Sequence, residues 1–330
     1  MTLKDRAIKL LIGGSPCTKW SIAQTKNREV LPEGMGWELF ENYRMAKEKF
    51  QPDFFLYENN KSAAQPIKDA IYSALGGGKD SSVRLTHINS ALVSAQNRER
   101  FYVTNFGDIE QPKDRGILLR DVLEDGGITD RDKSRTMLSS IGRTTTREYF
   151  SRSQNTMVYE SVKLEGGVPM EAFSCADGKS YTVYEVIDGQ IIIKDGRYPV
   201  KLTDGYYIIR KLTPIECERL QTLPDGYTAA VSNTQRYKAL GNGWTAEVII
   251  HLLNHALKDV PRDKELVVLS MYDGIATGRY CLDKMGFTNI KYYAYEIDPY
   301  PIKIAMSNYP DIIQCGDAFQ VREDGWKISI

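Results

Sequence analysis

Two periods organise the apolar residues of this chain. Ile8 to Ile12 is a short apolar run that ends in Gly13-Gly14, the pattern of a buried strand entering a loop. After a polar stretch, Trp37, Phe40, Tyr43, Ala46 and Phe50 recur at spacings of three and four, which predicts an amphipathic helix. Pro52 then introduces a second strand, Asp53 to Tyr57, and Val83–Ile88 and Arg100–Thr104 read as two more, a hairpin-like pair around Ser90 to Asn97. Further on, Thr213-Pro214 starts a helix through Leu220, with proline in the first turn. Gly241-Asn242-Gly243 precedes a helix from Thr245 to Leu257. A charged linker, Lys258 to Lys264, leads into a new α/β unit. It comprises strand Leu266–Leu269, a glycine loop, a helix to Met285 capped by Gly286, strand Lys291–Tyr295, helix Pro301–Asn308 and strand Ile312–Cys315.

Between about Phe106 and Gly205 the texture changes. Asp188-Gly189, Asp195-Gly196 and Asp204-Gly205 separate β-forming runs, so Tyr181 to Leu212 reads as a β-meander in a separate small domain. Arg131, Lys133, Arg135, Arg143, Arg147 and Arg152 stand among serines and threonines and could follow a phosphate backbone. A solvated polar loop is the better account of that feature alone.

Composition narrows the class. The 330 residues allow one large domain and a smaller one. No apolar run is long enough for a membrane span and the N-terminus does not read as a signal peptide, so a cytoplasmic protein with no membrane partner is expected. Forty-three basic residues balance forty-three acidic ones, so charge argues neither for nor against nucleic acid. The five cysteines, Cys17, Cys175, Cys217, Cys281 and Cys315, include no C-x-x-C pair, which argues against a disulfide framework or a zinc site. His251 and His255 share a helix face, but no third ligand is evident, so no metal is expected.

Candidate chemistry collects at predicted strand ends. Tyr272-Asp273-Gly274-Ile275-Ala276-Thr277-Gly278 is a glycine loop between strand and helix, spaced G-x-x-x-G rather than as in dinucleotide binders. Glu296 ends the next strand, where an acid takes ribose hydroxyls, and Asp317 ends the third, where a carboxylate can accept from an adenine amino group. In the first segment, Pro16-Cys17 follows a tight turn in a polar loop, which favours a displayed nucleophile over a buried thiol. Glu58-Asn59 ends the neighbouring strand, so Glu58 is expected near Cys17. Arg98 and Arg100, at an i, i+2 spacing, would face one side of a strand, either as a binding pair or as a surface salt-bridge patch. One reaction suits these groups. A thiolate adding at C6 of cytosine makes C5 enamine-like, an acid holding a proton near neutrality stabilises the adduct at N3, and arginines hold O2 and the flanking phosphate.

The blocks Gly13-Gly14-Ser15-Pro16-Cys17, Glu58-Asn59, Gln96-x-Arg98-x-Arg100, Arg210-x-Leu212-Thr213 to Leu223-Pro224, Gly241-Asn242 and Asp273-Gly274-x-x-x-Gly278 resemble those of the DNA cytosine-5 methyltransferases. Their wording is most similar to the branch containing the mammalian de novo enzymes and related phage and bacterial enzymes. The resemblance implies a Rossmann-like α/β fold with a mostly parallel seven-stranded sheet, S-adenosylmethionine as cofactor, and double-stranded DNA as partner. It casts Cys17 as nucleophile, Glu58 as the acid at N3, and Arg98 and Arg100 as holders of base and phosphate. Tyr272 to Gly278, Glu296, Ile297, Asp317, Ala318 and Pro16 become cofactor contacts, with Asn242 and Trp244 closing over the methionine side. Asn60 stands where many members carry valine, and only a tuning effect is expected of it.

Order is the departure. The family places the cofactor loop first, whereas here it lies in residues 265–330, so the chain is expected to be circularly permuted. The catalytic and cofactor domain would be 1–106 with 207–330, and residues 107–206 would be the target recognition domain. The loop Thr18 to Gly36 would close over a flipped base with Gly34 and Gly36 as hinges. A monomer, with a cognate restriction endonuclease as a possible companion, completes the expectation. A tRNA cytosine methyltransferase and a catalytically silent DNA-binding paralogue are the alternatives. The Pro-Pro-aromatic loop of adenine and N4-cytosine enzymes is absent.

Overall fold

The computed structural model describes residues 6–22, 26–152, 155–163, 173–174, 180–193, 196–326 and 328. They form two compact units, one of residues 1–89, 99–113 and 243–330, the other of residues 90–98 and 114–242. The second unit therefore differs from the expected 107–206: Ser90–Arg98 and the helices after residue 212 pack with it, and residues 107–113 fall in the first unit. Cys175 lies outside the described residues.

The first unit opens with β1 (Ile8–Gly13), α1 (Gly34–Phe50), β2 (Phe54–Asn60), α2 (Gln65–Ala74), β3 (Arg84–Asn89) and β4 (Glu99–Thr104). Helix α1 buries Phe40, Tyr43, Ala46 and Phe50, the stripe its spacing predicts. Gly34 and Gly36 are not loop hinges. They fall in the first turn of α1, where a Cβ on Gly36 would lie 2.5 Å from Nε1 of the fully buried Trp20. The sequence reading passed over α2, although Pro66 opens it and Ile67 and Ile71 supply its buried face.

The second unit holds α3 (Thr146–Arg152), β5 (Met157–Ser161), the two-residue strands β6 (Phe173–Ser174) and β7 (Ser180–Tyr181), β8 (Val183–Ile187), β9 (Gln190–Ile193), β10 (Gly196–Pro199) and β11 (Gly205–Lys211). Five of these form an antiparallel sheet in the order β10-β9-β8-β11-β5. Asp188 and Gly189 both take positive φ, +50° and +68°, in the two-residue turn between β8 and β9 that their sequence predicts. Tyr149, Met157, Tyr159, Val186, Ile191 and Tyr207 fill its core. Helices α4 (Pro214–Leu220) and α5 (Asn233–Asn242) follow. Arg210 bonds both oxygens of the buried Glu216 at 2.9 Å, and Glu216 also accepts from the Thr213 and Glu124 amides. The Arg210-x-Leu212-Thr213 block is thus a structural clamp. Much of the basic stretch is likewise structural: the Lys133 ammonium donates to the carbonyls of Ala91, Ser94 and Ile117, and Arg131 pairs with Asp130.

The chain then returns to the first unit as α6 (Ala246–Leu257), β12 (Leu266–Met271), α7 (Thr277–Lys284), β13 (Ile290–Tyr295), α8 (Pro299–Asn308) and β14 (Ile313–Gly316). Helix α8 starts earlier than predicted because Asp298 caps the Tyr300 amide and Pro299 takes the first turn. The sheet order is β14-β13-β12-β1-β2-β4-β3, parallel except for β4. All six residues of β12 are buried, as a parallel strand covered on both faces requires. Among the described residues no helix is long and apolar enough to cross a membrane, and no His, Cys, Asp and Glu cluster could hold a metal. His251 instead lies 2.8 Å from the Glu110 carbonyl and packs edge-on against His255.

Candidate active site

The centre of the sheet is a topological switch point. From β12 the chain continues through α7 to β13 on one side, and from β1 through α1 to β2 on the other. Gly13 pairs in register with Met271 and with Tyr57, so β1 and β12 end level with one another, while β2 runs three residues further to Asn60. The loops that leave β12 and β1 carry the glycine segment and Pro16-Cys17, and Glu58 lies on β2 itself, one residue beyond Tyr57.

The loop that carries Pro16 and Cys17 is fastened to β2. The Ser15 hydroxyl lies 2.7 Å from the Tyr57 hydroxyl, and the buried Asn59 amide donates to the Ser15 carbonyl at 2.9 Å and to Tyr57 Oη at 3.1 Å. Asn59 thereby fixes the turn that presents Pro16, which is exposed, and Cys17, which opens a single 3-10 turn whose carbonyl accepts from the Trp20 and Ser21 amides. Cys17 is partly exposed, whereas Cys217 and Cys281 are fully buried and burial pushes both thiols up, away from thiolate. Burial also raises Cys315, on β14.

Glu58 meets this loop. A Cβ on Gly14 would lie 3.0 Å from Glu58 Oε2 and would collide with its carbonyl oxygen, so glycine is required there for the two segments to approach. Arg100 Nε lies 3.0 Å from Glu58 Oε1, with only about a tenth of either side chain exposed. Trp244 donates its indole N–H to Glu58 Oε2 at 3.0 Å, a partnership the sequence reading did not anticipate. Arg98 does not share a strand face with Arg100. It precedes β4, belongs to the second unit, and is buried with its guanidinium on the carbonyls of Met137 and Gly241. Asn242, exposed at the end of α5, also belongs to that unit.

A clasp holds the loop that follows Cys17. Asn60 Nδ2 donates to Ser21 Oγ at 3.2 Å and its Oδ1 accepts from the Ser62 amide and hydroxyl at 3.0 Å. Ser62 in turn accepts from the Ile22 amide, and Arg28 donates to the carbonyls of Trp20 and Ser62.

Glu296 and Asp317 follow the ends of β13 and β14. The Glu296 carboxylate accepts from the amides of Gly274 at 3.0 Å and of Ile297 and Asp298 at 2.8 Å. Three amides fix its plane and leave acceptor capacity facing outward, which suits a ribose diol. Ile297 beside it is 69% exposed, an apolar surface for a flat ring, and Asp317 is exposed while capping the Phe319 amide. A Cβ on Gly274 would meet nothing within 4 Å, so there is space for a ligand against its backbone. These features fit S-adenosylmethionine. The remaining candidates work differently. Ile275, Ala276, Thr277 and Ala318 are buried, and Gly278 lets α7 close onto Ile12 and Tyr292. Tyr272 turns its hydroxyl to the Leu39 carbonyl and Asn42. Asp273 is turned inward: Oδ1 accepts from Tyr292 at 2.7 Å and Oδ2 is buried without a partner. Burial pushes its carboxyl up to about 6, opposed by the Tyr292 and Ser270 hydroxyls and reinforced by the charge of Glu296.

A mostly parallel seven-stranded α/β sheet, with a glycine loop and an amide-held glutamate at its switch point, defines a Rossmann-like methyltransferase. A profile of C-5 cytosine-specific DNA methylases matches residues 2–258, ending before β12. The type II methyltransferase M.FnuDI of Fusobacterium nucleatum is 26% identical over 277 residues, 78% of each chain. The type II methyltransferase M1.ScrFI of Lactococcus lactis subsp. cremoris is 25% identical over 289 residues, 78% of this chain and 64% of that one. Among solved structures, the Entamoeba histolytica methyltransferase EhMeth aligns with a TM-score of 0.45 at 14% identity, over 76% of this chain and 78% of that one. The chain belongs to the C-5 cytosine-specific DNA methylase family. Its reaction is therefore methylation of cytosine at C5 in DNA, with S-adenosylmethionine as the cofactor that the family and fold imply.

Proposed function

We propose that this enzyme methylates C5 of cytosine at a short specific sequence in double-stranded DNA, through covalent attack of Cys17 on C6 of a flipped-out base with Glu58 acting at N3. The carrying observation is the junction of two strand ends: a Pro16-Cys17 turn tied down by Asn59, beside a Glu58 carboxylate that Arg100 and Trp244 hold.

A cytosine in a duplex must leave the stack to reach such a site. Cys17 Sγ forms a bond to C6 while Glu58 delivers a proton to N3, so the electron pair displaced from the C5–C6 bond is held as an enamine. Arg100, paired with Glu58 in a nearly dry site, stands ready to bond O2. S-adenosylmethionine, when bound, supplies the methyl group that C5 takes up. Its ribose would lie on Glu296, its adenine against Ile297 with the amino group on Asp317, and its methionine half along Gly274. A base then removes the C5 proton, the C6–Sγ bond breaks by β-elimination, and N3 returns its proton to Glu58. Within the second unit, Arg98 holds Met137 and the Gly241 end of α5.

We also propose that the chain is circularly permuted. Three of the seven strands, β12 to β14, come from residues 266–316, and the family profile stops at 258. The β-rich second unit is the proposed reader of the DNA sequence. The type II relatives favour service beside a restriction endonuclease. The test is transfer of labelled methyl from S-adenosylmethionine to bacterial genomic DNA, followed by nucleoside chromatography. Label in 5-methylcytosine, lost in Cys17→Ala, is expected. Label in N4-methylcytosine, or only in tRNA, contradicts the proposal.

A further inference from the structure

We propose that Trp244 is a positioning residue for Glu58, which fixes the plane of its carboxylate and directs where its proton sits. A glutamate χ3 is a soft, roughly two-fold torsion, so one donor leaves the carboxylate free to turn. Here each oxygen has its own donor, Arg100 Nε on Oε1 and Trp244 Nε1 on Oε2, both at 3.0 Å. Indole and guanidinium donate and cannot accept. Each therefore occupies a lone pair that the carboxyl proton can no longer use, and steers that proton to the positions left over. Glu58 is 13% exposed, so water competes little for those positions. The indole reaches Glu58 from the segment between α5 and α6, distant in sequence, and its N–H is spent on the carboxylate rather than left for a cofactor.

The inference rests on Glu58 acting at N3, and two measurements separate it from that reading. In the full-length protein, Trp244→Phe keeps the aromatic bulk and removes the N–H. Methyl transfer to genomic DNA should then show kcat lowered about tenfold, with KM for DNA and calorimetric affinity for S-adenosylmethionine unchanged within about twofold. An unchanged kcat, or weakened cofactor binding with kcat retained at saturation, overturns the proposal. The second measurement needs neither turnover nor the Trp244 variant. The chain has four tryptophans, and in protein labelled with 5-fluorotryptophan the Glu58→Ala substitution should move one of four fluorine resonances. If none moves, the bond does not exist in solution and the proposal fails. If one moves but the wild type makes no 5-methylcytosine, the positioning contact stands and the assignment of its purpose falls.

Discussion

Replacing Asn59 by aspartate exchanges one NH2 for an oxygen and changes almost nothing in shape. Asn59 is 1% exposed, and its amide donates to the Ser15 carbonyl and the Tyr57 hydroxyl. Asn59→Asp removes both bonds, turns a carboxylate oxygen towards the Ser15 carbonyl and buries a charge. Two bonds at about 1 kcal/mol each, plus the desolvation of a poorly paired carboxylate, predict a loss of about 3–5 kcal/mol. All four tryptophans, Trp20, Trp37, Trp244 and Trp326, belong to the first unit, so urea unfolding followed by tryptophan fluorescence reports the transition of that unit. The same variant loosens the turn that presents Cys17, and a misplacement of about 1 Å costs on the order of 100-fold in rate. A variant as stable as the wild type, trapping 5-fluorocytosine DNA at the same rate, would show that Asn59 does not hold the loop.

Three further outcomes are expected. Cys17→Ser should abolish turnover while calorimetry finds cofactor binding intact, and a 5-fluorocytosine adduct should map to Cys17; an adduct on Cys175, Cys217, Cys281 or Cys315 refutes the assignment. Asn60→Val breaks the clasp on Ser21 and Ser62, so trypsin should cut faster at the exposed Lys26; an unchanged rate refutes the clasp. Asp273, whose folded carboxyl is raised to about 6 from 3.8, keeps its proton in the fold when the unfolded chain has lost it. Its contribution is present below pH 4 and is lost as pH rises through 6. Asp273→Asn should therefore unfold with about 3 kcal/mol more resistance at pH 8 and little difference at pH 4; equal stability at both pH values refutes the buried-acid reading.

What was legible in the sequence followed burial. Strands β1 and β12 read as apolar runs because both their faces are covered, and Asp188-Gly189 announced its turn because both residues need positive φ. The meeting of Glu58 with the Gly14 to Cys17 turn was legible because neighbouring parallel strands share an edge. Helix α5 was missed: its residues are mostly polar and only Ala239, Leu240 and Gly241 are buried, so tertiary contacts rather than an apolar stripe define it. Arg98 was paired with Arg100 by alternation, but alternation holds only inside a strand and Arg98 stands just outside one. The bond between Trp244 and Glu58 has no local signal, since 186 positions separate the two residues. Lys133 resembled a phosphate contact because nothing in its neighbourhood reveals the three carbonyls that surround it.

The central claim, cytosine-C5 methylation of DNA at a defined sequence, is tested most directly in a bacterial host free of cytosine methylation. That host would express the chain, and its genomic DNA would be read by bisulfite sequencing. The account predicts protected cytosines confined to one short motif, and none when the host carries Cys17→Ala. Unprotected DNA from cells that contain folded protein able to bind S-adenosylmethionine would contradict it.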